Sequence, residues 1–520
     1  MCAAFSLKKM PVSILYVSYR YAASALIVDK HTMKRDTPDT SLDARSSDSS
    51  KRNALYNRRS ILSSLGIAAA ALYLPRWAAG SSENSSGPTS ETEMERPVRA
   101  AFVSRNPQML QFAENVYRFC IQDRTQTATP PFRHAWLTPG GGYAGQWIWD
   151  TTFITDLLAI LPGQVDLIRG IYANFWDFQA RWSHAKPAYA RGMIANFIAP
   201  DNGPSGFNGK NWLTFPSYSQ APLLGWGVYR VYRRNHDQEL VRTALPHLEA
   251  FHDWYWRERD LDNIGLVTVG SYDGKIRDAR YETYDNEVDL DTLQMIPHPG
   301  RAKGPDNGPW YGDIYIPANT SYLLLSEMCL MRMAHAIGNH ALAARRRAFV
   351  RKGIDAMRRY MWDESQGCFL AVRRPDLHKL STATVGGMVP LYARIPTKAQ
   401  AARMAHRLEG PHWNTPLPVP TVDALSDQYR SGSFWRGDVW PATSYQVISG
   451  LARYGHRDLA ADFSDRLLAN ALKVGISEHY NSQSGAPLGV RNLGMSSVLL
   501  TLALEGLSPR YAIRTVRRVH

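Results

Sequence analysis

From about residue 105 onward, apolar side chains recur every three to four positions, the spacing that lines one face of an α-helix. The pattern predicts helices over 107–121, 151–161, 164–182, 220–235, 237–258, 315–337, 339–361, 396–408, 440–454, 457–474 and 494–505. Many of these segments come in pairs joined by a turn with Gly, Asn or Asp. Ile337-Gly338-Asn339 and Tyr454-Gly455-His456 place Gly where a helix ends in left-handed backbone. Strand signals are few and local, with Gly265-Leu266-Val267-Thr268-Val269 the clearest. So many helical hairpins in succession predict an all-α toroid of six inner and six outer helices, an (α/α)6 barrel, rather than a bundle. Three long polar and aromatic stretches, 183–218, 260–312 and 409–438, interrupt the helices. Loops of that length in a compact body are usually functional, and here they are expected to form one end of the ring.

Composition changes this picture little. The apolar share of 44% supports a large core, and the 15 Trp and 26 Tyr suit either a core or a sugar pocket, since pyranose C–H faces stack on rings. The formal charge of +14 raises the question of an anionic partner. Half of it comes from residues 1–79, which hold 12 Lys/Arg and 5 Asp/Glu. The rest lies in short clusters such as Arg345-Arg346-Arg347, read as a solvated helix face, and no nucleic-acid module accompanies it. The four cysteines, Cys2, Cys120, Cys329 and Cys368, are spaced for neither a zinc site nor a redox pair, and a disulfide framework is not expected.

Near the beginning, Arg58-Arg59 precedes a short apolar run, Leu65–Leu74, followed by the small residues Ala78-Ala79-Gly80. This arrangement resembles a twin-arginine signal, which hands a folded protein to the twin-arginine export machinery. It implies a periplasmic or secreted protein with no stable membrane anchor. The expected organisation is an extension and signal over 1–79, with Met33 a candidate initiator, a flexible linker over 80–100, and one helical domain over 101–510.

Three clusters carry candidate chemistry. The first is Pro139-Gly140-Gly141-Gly142-Tyr143-Ala144-Gly145-Gln146-Trp147-Ile148-Trp149-Asp150, where successive glycines let backbone approach a ligand and Trp149-Asp150 opens a helix. Trp149 offers a ring to stack on and Asp150 a carboxylate for sugar hydroxyls; a core Trp with an N-capping Asp is the structural alternative. The second, Glu282-Thr283-Tyr284-Asp285-Asn286-Glu287-Val288-Asp289-Leu290-Asp291, holds five carboxylates among aromatics. It lacks the Gly of an EF-hand, and its reading lies between a catalytic acid, kept neutral by desolvation, and a solvated acidic loop. The third is split between Ser433-Phe434-Trp435-Arg436-Gly437-Asp438-Val439-Trp440-Pro441 and Ser477-Glu478-His479-Tyr480-Asn481. There Glu478 has neighbours suited to holding hydroxyls, and Asp438 either adds a carboxylate to a pocket wall or caps the following helix.

Taken together in this order, Trp149-Asp150-Thr151-Thr152-Phe153, Ser219-Gln220-Ala221-Pro222-Leu223, Tyr284-Asp285-Asn286, Trp435-Arg436-Gly437-Asp438-Val439-Trp440-Pro441 and Glu478-His479-Tyr480-Asn481 resemble glycoside hydrolase family 63, in its mannosylglycerate-hydrolase-like branch. More distantly they resemble the trehalases of family 37. The resemblance covers roughly residues 130–508; the Trp-Arg-Gly-x-Val-Trp-Pro and Glu-His-Tyr-Asn elements are its specific parts. It implies an (α/α)6 barrel that hydrolyses an α-glycosidic bond with inversion; no cofactor is expected, and no metal-ligand set is identified in the sequence. By the same resemblance Asp285 is the general acid and Glu478 the general base. Trp149, Trp435 and Trp440 would shape a pocket for a small saccharide, and Asp150, Gln220, Asn286, Arg436 and His479 would bind its hydroxyls, with Tyr284 and Tyr480 beside them. Gly142 and Gly145 stand where the trehalase signature has Arg and Glu, which argues against a trehalase.

Two other functions use the same residues differently. A polysaccharide lyase on the same toroid would recruit Arg436 and Tyr480 and leave the carboxylate pair idle. A non-catalytic carbohydrate-binding protein would keep the aromatic cleft alone.

Overall fold

The computed structural model describes residues 95–185, 191–200, 219–268, 314–374 and 376–516, without the side chains of 95, 96 and 182–185. These residues belong to one compact unit, Thr92–His520. Arg58, Arg59, Tyr284, Asp285 and Asn286 lie outside the described residues.

The described chain is mostly helical. In order the helices are α1 Glu95–Ala101, α2 Pro107–Asn115, α3 Ile148–Leu158, α4 Val165–Ala185, α5 Leu224–Asn235, α6 Gln238–Glu258, α7 Pro317–Ala336, α8 His340–Ala356, α9 Lys398–Glu409, α10 Pro441–Arg453, α11 Arg457–Val474 and α12 Val498–Leu504. Their starts follow from local chemistry. Asn106, Asp237 and Asn339 each turn a side-chain oxygen onto a free N–H of the first turn, and Thr397 with Gln400 forms a capping box. Pro107, Pro317 and Pro441 sit in first turns, where no N–H bond is lost. Gly338 (φ 79°) and Gly455 (φ 97°) reverse the chain between α7 and α8 and between α10 and α11, as expected.

Burial separates two sets of helices. Every residue of α3 is buried, as is nearly all of α10 and α12, so these helices are enclosed by protein on all sides. The polar residues of α3 are satisfied internally: the hydroxyls of Thr151, Thr152 and Thr155 donate to Trp147 O, Trp149 O and Thr151 O at 2.6–2.8 Å. Packing runs from α3 to α5, from α5 to α7, through the turns at 385–391 to α10, on to α12, and from α12 back to α3. On the other side α6 packs on α5 and α7, α8 on α7, and α11 on α10.

The strands are short. They include β1 Phe102–Val103, β2 Gln146–Trp147, β3 Phe197–Ile198, β4 Ser477–Tyr480, β5 Pro487–Arg491 and β6 Arg514–Thr515. β2 pairs with β3, β4 with β5, and β1 with β6, which ties the beginning of the described unit to its end.

Several expectations need correction. Residues 95–100 of the expected linker are helical, and Arg99 Nε reaches Glu114 at 2.5 Å. The stretch around Val267 forms only an isolated bridge, Thr268 to Tyr315. Arg346 does not belong to a solvated face: it is buried, pairs with Glu327 at 2.7 Å and meets Asp253 as well. Glu327 is fully buried on α7, and a carboxylate there requires a cation, which only the inward member of the arginine triplet supplies. Cys120, Cys329 and Cys368 are buried free thiols. Among the described residues no helix is long and apolar enough to cross a membrane.

Candidate active site

The site lies where the first turns of α3 and α10 meet the β4–β5 hairpin. β4 carries Glu478, and a bulge between Ser477 and His479 interrupts its pairing with β5. Glu478 is 3% exposed, so a charge there needs partners. It has two: Tyr143 donates its hydroxyl to Oε1 at 2.7 Å, and the backbone N–H of Val490 donates to Oε2 at 2.8 Å. Gly489 makes the second bond possible. Its φ is +68°, and a Cβ there would stand 2.9 Å from Glu478 Cβ and collide with the carboxylate.

The same hollow is lined by Trp147, Trp149, Asp150, Gln220, Phe434, Trp435, Trp440 and Met495. Trp149 is locked in place: its backbone N–H donates to Gln220 Oε1 at 3.0 Å and its indole N–H points at Met495 Sδ at 2.9 Å. Asp150, in the first turn of α3, accepts the Met495 N–H at 3.2 Å. Burial pushes the Asp150 carboxyl up to about 7; the Met495 hydrogen bond opposes this and the nearby Glu478 charge adds to it. At neutral pH Asp150 is therefore divided between acid and carboxylate. Two carboxyl groups thus share one hollow.

On the facing wall Trp435 stacks on Trp440 with centroids 3.8 Å apart, and His479 stacks on Trp440's other side at 4.9 Å. His479 Nδ1 lies 3.1 Å from Asp438, whose other oxygen accepts the Gly432 N–H at 2.6 Å. Asp438 is buried behind the rings and does not line the hollow, and Trp440, not Asp438, occupies the N-cap of α10. Neither role considered for it holds; it anchors the His479 ring and the 432–438 turn.

The structure thus brings together Trp149, Asp150, Gln220, Trp435, Trp440 and Glu478 in one lining. Three expected contacts are not part of that lining. Arg436 donates to Gln428 O at 3.1 Å and to Gln428 Oε1 at 2.9 Å, bracing its own loop. Tyr480 is fully buried, with its hydroxyl between Gly475 O and Ser477 N at 3.0 and 3.1 Å. His479 supports Trp440 from the rear. Gly140 and Gly141 also differ from expectation. A Cβ on Gly140 or Gly141 would strike Arg124 or Val490, so they admit protein neighbours and not a ligand. Tyr143 and Trp147 were not singled out from sequence, although they line the hollow; an aromatic after glycines looks the same whether it serves core or site. Trp147 stacks on Phe197 at 4.3 Å and meets Tyr143 edge-on, which holds the Tyr143 hydroxyl on Glu478. Among the described residues no three His, Cys, Asp or Glu side chains group as metal ligands would.

Comparison with known proteins gives the family and the fold. A family model described as the mannosylglycerate hydrolase MGH1-like glycoside hydrolase domain matches residues 143–496, from the tyrosine on Glu478 to the turn that carries Met495. The mannosylglycerate hydrolase of Rubrobacter radiotolerans is 27% identical over 415 residues, which covers 70% of this chain and 92% of that protein. Its counterpart from Thermus thermophilus is 23% identical over 421 residues, covering 71% and 96%. Among solved structures, a family 63 mannosylglycerate hydrolase of Thermus thermophilus in complex with glucose aligns with a TM-score of 0.58 at 20% identity, over 74% of this chain and 98% of that one. The neutral trehalase Nth1 of Saccharomyces cerevisiae aligns at 0.50 and 16% identity, over 73% and 76%. These structural likenesses concern the fold.

Proposed function

Because the chain belongs to the mannosylglycerate hydrolase MGH1-like glycoside hydrolase family, we propose that it hydrolyses a small α-glycoside, of the glycosyl-glycerate kind, with inversion at the anomeric carbon. Membership of that family makes it a glycosidase and sets aside the lyase and the non-catalytic binder. The packing circuit through α3, α5, α7, α10 and α12, with α6, α8 and α11 outside it, supports an (α/α)6 toroid.

Glu478 is the general base in this reading. Its two bonds, from Tyr143 and from Val490 N–H, fix the plane of the carboxylate and leave lone pairs directed into the hollow. A water held there loses its proton to Glu478 as its oxygen attacks the anomeric carbon. Asp285 is the general acid that protonates the leaving oxygen from the opposite face. Inversion needs the two carboxyl groups roughly 6.5–9.5 Å apart, so that the water fits between. Asp150 and Gln220 hold hydroxyls of the sugar whose ring lies against Trp149 and Trp440. With a carboxyl poised near neutrality, Asp150 donates to one hydroxyl when protonated and accepts when ionised. The hollow has a volume of about 60 Å3. Residues 57–80 act as an export leader in this scheme.

The observation that carries the proposal is a buried glutamate, held at both oxygens, in a hollow walled by tryptophans. Its test is incubation with α-mannosylglycerate, α-glucosylglycerate and α-linked disaccharides. Free hexose from a glycosyl-glycerate is the expected result, and no release from any of them contradicts it.

A further inference from the structure

A second hollow lies at the far ends of the same helices. α3 carries Asp150 in its first turn and Asp156 near its last, and α10 runs from the Trp440 cap to Arg453. An eleven-residue helix is roughly 16 Å long, so helix length separates this hollow from Glu478. Its volume is about 360 Å3, within the range of roughly 300–1,000 Å3 that small-molecule pockets occupy.

Six arginines line it: Arg230, Arg233, Arg234, Arg332, Arg394 and Arg453. The three deeper ones are already engaged. Buried Asp156 takes Arg230 at 2.6 Å and Arg234 at 3.1 Å; Glu505 takes Arg230 at 2.5 Å; Arg453 donates to Tyr392 O at 2.6 Å. The three at the rim are exposed, and among the described residues none has a carboxylate within ion-pair distance. Arg332 lies over the Tyr229 ring, and Arg394 is held on left-handed backbone (φ 58°), a conformation that costs an arginine energy and presents its side chain at the rim.

Part of this charge answers the helices. α5, α7, α10 and α12 each bring their C-terminal half to the hollow or end beside it, and a helix C-terminus carries roughly half a negative charge. With the end of α3 beside Asp156, five such ends and two carboxylates still fall short of six guanidinium groups by about 1.5 charges. Three guanidinium forks from α5, α7 and the 392–394 turn, facing one hollow, match a tetrahedral dianion better than a planar carboxylate. The volume, with Trp226, Tyr229 and Tyr392 in its wall, fits a small molecule.

We propose that this hollow is a binding site for a phosphoryl group, free or esterified to a small molecule, held by Arg233, Arg332 and Arg394. The site is independent of the catalytic hollow.

Calorimetric titration of the full-length protein with inorganic phosphate and with methyl phosphate tests this, in chloride buffer of constant ionic strength. Saturable binding of about one equivalent is expected, and tighter binding of methyl phosphate identifies an ester as the natural form, inorganic phosphate a free ion. The double variant R332A/R394A should weaken binding at least tenfold while its melting temperature in chloride stays within a few degrees, and Glu478→Gln should leave it unchanged. No heat beyond that of added chloride, or equal binding by R332A/R394A, overturns the proposal.

Discussion

Glu478 owes its position to two donors, and each can be tested separately. Glu478→Gln keeps the shape, since the amide oxygen can face Val490 N–H while its NH2 turns to the Tyr143 oxygen. Turnover should fall by at least about 10²–10⁴-fold, the contribution of a general base, with stability changed by no more than about 1 kcal/mol; steady-state rates and urea denaturation read both. Tyr143→Phe removes one bond to a charged group, a contribution of about 1.5–3 kcal/mol. A fall in kcat of roughly 10–100-fold is expected, and full kcat would mean that the hydroxyl does not position the base. Gly489→Ala should be as inactive as the Glu478 variant, because the added methyl group occupies the carboxylate's place. Asp150 gives a pH signature. Its folded carboxyl, up at about 7, holds a proton that the unfolded chain releases near pH 4. The native state then binds more protons between those values, and stability falls as pH rises across the window. Asp150→Asn has no such term, so its stability relative to the parent should grow from pH 4 to 7; a constant difference in denaturation midpoint would contradict the shift.

At the level of elements, α7 and α8 are joined by a buried ion pair. Arg346 reaches Glu327 through two nitrogens at 2.7 and 2.9 Å, and Trp256 donates to the same carboxylate at 2.8 Å. Burial raises the Glu327 carboxyl, but His252 and Arg346 outweigh it and hold the group down at about 2. The contribution is present above the unfolded value near 4.5 and is lost as pH falls toward 2. Arg346→Met strands a buried carboxylate and should cost about 3–5 kcal/mol in urea denaturation; replacing Glu327 by Gln as well should recover much of it. A loss below about 1 kcal/mol would show the pair to be idle. This contact also marks where the sequence stopped being legible. Periodicity and caps placed the helices within a few residues, because both are local. Three adjacent arginines carry no signal as to which one faces a buried glutamate about twenty positions earlier. α3 begins at Ile148, three residues before the periodicity suggested, because all eleven of its residues are buried and no polar face marks its start, and the 477–480 strand is too short to announce itself.

Across the whole molecule, the order of motifs along the chain gave the family and six of the lining residues before any coordinates. Adjacency in sequence did not give orientation: Arg436, His479 and Tyr480 share motifs with Trp435 and Glu478, yet none of the three joins the lining, and the bulge in β4 keeps simple alternation from placing Tyr480 beside Glu478. Asp285, proposed as the general acid, lies outside the described residues, and the reaction's stereochemistry is the most direct test of the proposed paired-carboxylate mechanism. Proton NMR of the anomeric region, recorded in the first minute after enzyme is added to an α-glycoside that it cleaves, reads the configuration of the newly released hexose before it equilibrates. A water activated by Glu478 on the face opposite the leaving group predicts the β-anomer first, with α growing in only by mutarotation. Release of the α-anomer first would mean two displacements and a covalent intermediate, and Glu478 would not be the base of a single inverting step.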